Sequence, residues 1–143
     1  MYFEPQKTLE VLETKSVPVY GWKTREFPAF FSPKSGVPCP FHADNETEIA
    51  DAYRFCRALE LKQGMLVAVP NDDAAGDNVE NAIKEALAEA DKRGIKGQDT
   101  TPFILKYVAD KTGGDSLRSN IALVKKNAEV GAKIAIAITK KMN

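Results

Sequence analysis

The chain has 143 residues, and its 20 Lys and Arg balance its 20 Asp and Glu, so the formal net charge is zero. This balance argues against a protein that binds nucleic acid or membranes through net charge. Hydrophobic residues make up 43% and charged residues 28%, which excludes wholesale disorder and a collagen-like or coiled-coil composition and predicts one globular unit over residues 1–143.

The cysteine content and the N-terminus favour a cytoplasmic protein. Two cysteines, Cys39 and Cys56, are too few for a disulfide framework. The first residues lack the basic and apolar regions of a signal peptide, and no apolar run approaches the roughly 18 residues that a membrane span requires.

The N-terminal part of the chain predicts a helix, a strand and an irregular stretch. Apolar residues at helical spacing predict a helix over residues 8–14, which Pro18 ends because the residue before a proline favours extended backbone. Residues 17–20 then read as a strand. Four prolines between positions 28 and 40 exclude a regular helix, and residues 27–31 form a possible further strand.

The middle of the chain predicts a second helix, a buried strand and a polar loop. Asp44 and Asn45 supply the start of the helix, and Gly64 is its predicted end. Its apolar face comprises Ile49, Ala52, Tyr53, Cys56 and Leu59. The apolar run 65–70 has the length of a strand covered on both faces. The polar loop 71–77 follows at the strand's carboxyl end, where open α/β sheets bind ligands.

The remaining sequence predicts three helices. The first carries an apolar stripe from Val79 to Ala90 and ends at Gly94. The second begins with Thr101 as N-cap and a proline at the first helical position, and Ser116 caps the third. The third helix's apolar stripe comprises Leu117, Ile121, Val124, Ala128, Gly131, Ala135 and Ile138. The alternation over 134–138 also fits a strand, but its alanines and the upstream stripe favour helix.

These elements predict an α/β fold in which about five helices pack on a mixed or parallel sheet. Only two strands are clear and a third is possible, whereas sheets usually contain ~4–6 strands. We therefore expect an incomplete sheet that is part of a larger three-layer α/β/α fold. The missing strands are expected from another part of a longer parent chain or from another subunit.

Several residues of types that often act in catalysis or metal binding have a simple structural interpretation. His42 is the only histidine and lacks an evident catalytic partner, so we interpret it as a loop histidine. Cys39 and Cys56 are interpreted as packing residues. The acidic loop 71–77 holds three carboxylates and can bind a divalent cation, but it lacks calcium-loop spacing and also fits helix caps.

Two features point to a polar ligand. Gly113 and Gly114 precede a helix whose free amides and dipole favour phosphate, although this is also an ordinary connection. Asn120 and Asn127 lie seven residues apart beside the apolar stripe, where an unpaired amide costs about 1–3 kcal/mol. Internal hydrogen bonds or a ligand can satisfy both amides. Asn120, beside the glycine pair, has the stronger case for a ligand.

Many segments of the chain resemble motifs of the pseudouridine-5′-phosphate glycosidase family, also called the indigoidine synthase A family. They occur in the same order as in that family. They include TLEVLET (8–14), VPVYG (17–21), EFPAFF (26–31), TPFIL (101–105), TGGDSL (112–117) and SNIALV (119–124). The resemblance runs from about residue 8 to about residue 137 and covers only the C-terminal part of the family's protein. The sequence differs from the family's pattern at residues 69–73, at Gln98, where the family often has lysine, and at Lys126, which replaces an asparagine.

The resemblance implies an α/β enzyme, a homotrimer with bound manganese, that reversibly converts pseudouridine 5′-phosphate to uracil and ribose 5-phosphate. A family lysine opens the sugar as a Schiff base. Because a C–C glycosidic bond has no leaving oxygen to protonate, an iminium is needed as an electron sink. That lysine, the acid-base glutamate and the metal-binding aspartate precede the matched stretch, so the resemblance assigns no catalytic or metal-binding residue here. Lys7 does not correspond to the Schiff-base lysine. It matches a basic residue in the helix that follows that lysine's segment in the family.

Of the family's substrate-contacting residues, the asparagine of the Ser-Asn-Ile motif corresponds to Asn120. The sequence therefore predicts the C-terminal portion of such an enzyme, inactive alone, with Asn120 contacting the sugar phosphate. The alternative is a truncated, non-catalytic paralogue that binds full-length subunits through Phe27, Phe30, Phe31 and an unpaired sheet edge. A free-standing α/β small-ligand binder is a third, less favoured interpretation, because the strand count is low.

Overall fold

A computed structural model describes residues 5–29, 34–72 and 77–140. In chain order its elements are α1 (Pro5–Thr14), β1 (Val19–Trp22), β2 (Phe41–Ala43), α2 (Glu46–Ala58), β3 (Leu66–Ala68), α3 (Asp77–Lys92), α4 (Thr100–Lys111) and α5 (Asp115–Lys140), with a short 3₁₀ helix, Gly97–Asp99, before α4. Across these residues, no helix combines the length and apolar character needed to cross a membrane.

The three strands form one parallel sheet in the order β2-β1-β3. Tyr20 in the central strand lies opposite Phe41 of β2 and Val67 of β3. The expected α/β class is confirmed, and of the two sheet types considered the parallel one is observed. Among the described residues, β2 and β3 each pair on one side only. This is the incomplete sheet that the low strand count predicts.

The strand predictions differ from the structure in position and number. Strand β1 starts two residues later than predicted, because the Val17 amide donates to the Leu12 carbonyl and so completes the end of α1. Strand β2 was missed, since three residues carry almost no periodic signal. Residues 27–29 of the possible strand at 27–31 are not in a strand, and residues 30 and 31 lie outside the described residues.

Helix α2 begins as predicted but ends earlier. Asn45 Oδ1 accepts hydrogen bonds from the amides of Thr47 and Glu48, at 3.0 and 3.1 Å, so its cap is confirmed. The predicted end at Gly64 is wrong. The helix ends at Ala58, and Glu60 takes a left-handed conformation with φ of 58°.

The last two helices also differ in their first residues. Helix α4 begins at Thr100, one residue before the predicted cap. Ser116 is not the cap of α5, because the helix begins at Asp115 and Ser116 is buried inside its first turn. The helical interpretation of residues 134–138 is confirmed, since α5 continues through them to Lys140.

Two apolar clusters hold the elements together. In the first, α3 packs on α4 through Val79, Ala82, Ile83, Ala86 and Val108. In the second, Ile49 of α2 and Val130 of α5 pack with Trp22 and Ala43 of the sheet. Helices α2 and α5 therefore lie together against the sheet, and α5 brings its first turns to the strands' carboxyl ends.

The apolar stripe predicted for α5 faces away from this core. Leu117, Ile121 and Val124 are 58%, 47% and 59% exposed. The side of the helix that is buried in the chain instead presents Ser116, Ser119 and Val130. Apolar spacing identifies a face that needs cover, but it does not say which part of a protein supplies that cover.

The fold also bears on the interaction-module alternative. Phe27 is 5% exposed, so its side chain is mostly packed within the described chain, and its role as an anchor for another subunit stays a prediction. Phe30 and Phe31 lie outside the described residues. The unpaired strand edges that the alternative also invoked are present among the described residues.

Candidate sugar-phosphate site

The candidate site lies at the carboxyl ends of the parallel strands. Because β1, β2 and β3 run in the same direction, the segments that follow them leave from one edge of the sheet. The segment after β3 reaches Asn71 and Asp72 before the described residues stop. The position predicted for a ligand loop is therefore correct, although residues 73–76 of that loop lie outside the description.

A buried amide ties this loop to α5. Asn71 is 3% exposed, and its Nδ2 donates to Ser119 Oγ at 2.8 Å and to the Ser119 carbonyl oxygen at 3.3 Å. Ser119 is itself buried. Because a buried donor left without a partner costs about 1–3 kcal/mol, this contact fixes the second turn of α5 against the loop.

Sequence reasoning missed Asn71 as a structural residue of the site. The loop 71–77 was considered only for its carboxylates, and the amide side chain of Asn71 was given no role. The available signal was the position of Asn71 directly after an apolar strand and a proline, where a polar side chain is forced close to the interior. No periodic pattern links it to a serine 48 residues away.

A charged contact adds a second link between the same elements. Lys126 Nζ lies 3.1 Å from Asp72 Oδ2. The Asp72 side chain is 74% exposed, so solvent screening leaves this ion pair a small contribution. The first carboxylate of the acidic loop, that of Asp72, therefore pairs with a lysine of α5.

Asn120 lies where the sequence predicts a ligand-binding amide. It follows Ser119 on α5, in the turn that Asn71 holds, and is half-buried. An amide so placed can donate and accept hydrogen bonds at once, which suits a sugar hydroxyl or a phosphate oxygen. Its contact with a substrate stays a prediction.

Asn127 does not share this environment. It is exposed and lines an apolar groove beside β3, so of the two positions expected for its amide, bordering or entering a buried face, the described chain shows the first. The reason is the orientation of α5, whose predicted apolar stripe faces outward.

The Gly113-Gly114 turn does not present a free phosphate cradle. Both glycines have positive φ, 60° and 94°, as a tight helix-to-helix turn requires. The Asp115 amide donates to the Thr112 carbonyl at 3.2 Å, and the Ser116 amide donates to Thr112 Oγ1 at 3.4 Å. Two amides that would bind an anion are therefore used within the chain, as in an ordinary connection.

Metal-ligand geometry is not found in the part of the chain that the structure describes. There, no three His, Cys, Asp or Glu side chains lie close enough together to hold an ion. The described residues therefore do not fit the manganese expected from the family.

Among the described residues, His42 and the cysteines have simple structural surroundings. His42 is in strand β2, not in a loop as predicted, and its Nε2 is 4.0 Å from Asp44 Oδ2. Cys39 Sγ donates to the Val19 carbonyl oxygen at 3.7 Å, and burial raises the pKa of that thiol. A raised pKa reduces the thiolate fraction, in keeping with a packing role. Cys56 is half-buried.

The family comparison covers nearly all of the chain. A family model described as indigoidine synthase A like protein matches residues 2–137. A pseudouridine-5′-phosphate glycosidase of Caldanaerobacter subterraneus subsp. tengcongensis is 47% identical over 137 residues, and one of Arabidopsis thaliana is 42% identical over 139 residues. These matches cover 94% and 95% of this chain but 45% and 42% of the relatives. The chain therefore spans less than half the length of these curated relatives.

Solved structures show the same fold inside longer chains. A prealnumycin C-glycosynthase in complex with ribulose 5-phosphate is 31% identical and superposes with a TM-score of 0.88, covering 98% of this chain and 47% of that chain. An indigoidine synthase A-like protein from Thermotoga maritima is 32% identical with a TM-score of 0.79, covering 95% of this chain and 45% of that chain.

Proposed function

Because the chain belongs to the indigoidine synthase A family, we propose that it forms the C-terminal portion of a pseudouridine-5′-phosphate glycosidase. The complete protein would break the bond between the sugar C1′ and the uracil ring and, with one water, yield uracil and ribose 5-phosphate. The observation that carries the proposal is 47% identity to a glycosidase of that name over 94% of the chain.

Within that protein, the proposed role of this chain is to bind the sugar phosphate through Asn120. Support comes from its position at the carboxyl ends of the strands, in a turn fixed by the Asn71 contact to Ser119. The ribulose 5-phosphate complex of the C-glycosynthase, which shares this fold at 31% identity, makes a pentose phosphate a suitable class of ligand.

The proposal takes the Schiff-base lysine from the part of the protein that this chain does not cover. An amine nucleophile needs a lowered pKa to be uncharged near neutral pH. Hydrogen bonds to Glu85 and Glu129 instead raise the pKa values of Lys111 and Lys133. These exposed, paired lysines are poor candidates for the nucleophile.

Three further properties belong to the proposal. Manganese is expected to be held by the complementary part of the protein, since the described residues do not fit it. The complete enzyme is proposed to be a homotrimer in the cytoplasm, where a nucleotide-degrading activity has its substrate. Sedimentation of the complete enzyme tests the trimer, and its metal content tests the manganese.

The 143-residue chain alone should release no uracil from pseudouridine 5′-phosphate. The test adds manganese and compares the chain alone with the chain co-expressed with the complementary segment, defined as the part of the Caldanaerobacter relative outside the match. We expect activity only in the second sample. Release by the chain alone would mean that one of its own lysines is the nucleophile. No release by a purified complex would contradict the proposed function.

Asn120→Ala should weaken substrate use in the reconstituted enzyme. A hydrogen bond to a charged phosphate contributes about 1.5–3 kcal/mol, so we expect KM to rise by roughly tenfold or more with kcat little changed. Gln98→Ala, which removes an exposed amide next to α4, is the matched control and should leave both constants unchanged. Unchanged kinetics in Asn120→Ala would remove that residue from the substrate site.

A further inference from the structure

Helix α5 carries an apolar face that stays exposed among the described residues. Six residues make this face, here named the α5 outer stripe: Leu117, Ile121, Val124, Ala128, Gly131 and Ala135. All six are exposed, the first three by roughly half of their surface. The stripe contains no charged residue and extends for about 27 Å along the helix. A continuous apolar face of this length marks an interaction surface.

An apolar groove lies next to the stripe. The β3 groove has a volume of about 680 Å³ and runs between α1, strand β3, the segment at 27–29 and α5. All three residues of β3 line it, and β3 pairs on its other side with β1. Because an unpaired strand edge is normally covered or extended in folded proteins, the groove exposes a surface suited to receiving another piece of polypeptide.

The stripe and the groove form one continuous surface. Gly131 belongs to the stripe and also lines the groove, and Asn127, one turn earlier, lines the groove as well. At these positions no bulky side chain separates the two features. A single partner can therefore contact the edge of the sheet and the outer face of α5 together.

The relatives indicate which partner has the right size and chemistry. The solved C-glycosynthase contains this fold as 47% of its chain, and the glycosidases contain the matched stretch as about 45% of theirs. The rest of each protein is as long as this chain or longer, and a compact protein must bury apolar surface between its two parts. The uncovered apolar surface of this chain is where that burial can occur.

We infer that the α5 outer stripe and the β3 groove together bind the complementary segment of the family. The inference takes its partner from the proposed function, but it concerns association and needs no catalysis. In this arrangement the partner extends the sheet beyond β3 and covers the outer face of α5. The same contact would bring the partner's residues to the end of α5 that carries Asn120.

The test measures association without substrate. The chain is co-expressed with the complementary segment of the Caldanaerobacter relative, and the purified complex is dissociated by dilution to obtain Kd. Val124→Asp places a charge in the centre of the stripe and should weaken binding by roughly tenfold or more, because a buried unpaired charge is costly. Ile136→Asp is the matched control, since Ile136 is 54% exposed on the same helix but off the stripe.

The outcomes separate the surface from the function. A selective loss of binding in Val124→Asp, with helix content by circular dichroism equal to that of the unchanged chain, supports the surface. Equal binding by both variants, equal losses in both, or no complex at all overturns it. A chain that forms a dimer through the stripe and excludes the segment also overturns it. Selective binding without uracil release would count against the proposed function alone.

Discussion

Gly21→Ala should destabilise the fold by about 3 kcal/mol, near the upper end of the range for overpacked interiors. Gly21 is buried in the central strand, opposite His42 and Ala68. A Cβ built there lies less than 3.0 Å from the Thr24 carbonyl oxygen, a backbone atom that cannot swing aside. Either the central strand or the following turn must move, and Thr24 holds that turn through hydrogen bonds with Glu26.

This loss is large for a domain whose total stability is about 5–15 kcal/mol. Urea unfolding followed by circular dichroism should show a clearly lower midpoint, and thermal unfolding should shift downward by roughly 10 °C. Gly64→Ala is the matched control, because Gly64 has open space around its Cα and no positive φ. Equal midpoints for the two variants would show that the turn after β1 is displaced at no cost.

Sequence patterning predicted where the helices lie in the chain better than it predicted which elements they pack against. The cap of α2 was correct because Asn45 and Glu48 act within one turn, where spacing along the chain equals spacing in space. The outer stripe of α5 was also a real feature. Its orientation was not predictable, since a helix with a second apolar face gives no indication of which face its own chain covers.

The sheet shows the same limit. The apolar run at 65–70 predicted β3 as a strand covered on both faces, whereas its three residues are half-buried in the described chain and line the β3 groove. Strand β2 has three residues and an exposed phenylalanine at its start, so neither length nor alternation identifies it. It forms because the central strand offers a free edge, and pairing between distant residues leaves no local signal.

The candidate site was predictable in position and partly in composition. The loop after β3 follows from strand direction, and Asn120 follows from the family resemblance. The contact between Asn71 and Ser119 joins residues 48 positions apart, and two polar residues at that separation show no pattern in one sequence. This contact nevertheless fixes the turn that carries Asn120, so it is the most informative place to perturb the site.

Asn71→Asp should destabilise the protein more than Asn71→Ala, although it changes the shape least. The amide donates to two oxygens of Ser119. A carboxylate there cannot donate to the Ser119 carbonyl oxygen and repels it; the Ser119 hydroxyl can donate to the carboxylate, but taking a charge out of water still costs about 3–5 kcal/mol. Removing the amide with alanine loses the hydrogen bonds and leaves no charge, which costs about 1–3 kcal/mol.

The penalty should depend on pH with a defined sign. Burial raises the pKa of the introduced carboxyl above its unfolded value of about 4, so the folded state favours the protonated, neutral form. The deficit relative to the unchanged chain should therefore be largest near pH 7 and should shrink as the pH falls towards about 4. Urea midpoints of both proteins at the two pH values measure this difference.

The neighbouring charges provide the control for Asn71→Asp. Asp72→Asn removes an exposed carboxylate one residue away and its ion pair with Lys126, and it should change stability by less than about 1 kcal/mol at either pH. A deficit in Asn71→Asp that does not vary with pH would contradict the buried-charge explanation, because the carboxyl would then have the same pKa in the folded and unfolded states. In the reconstituted enzyme we also expect KM to rise, because the turn carrying Asn120 loses its anchor to the β3 loop.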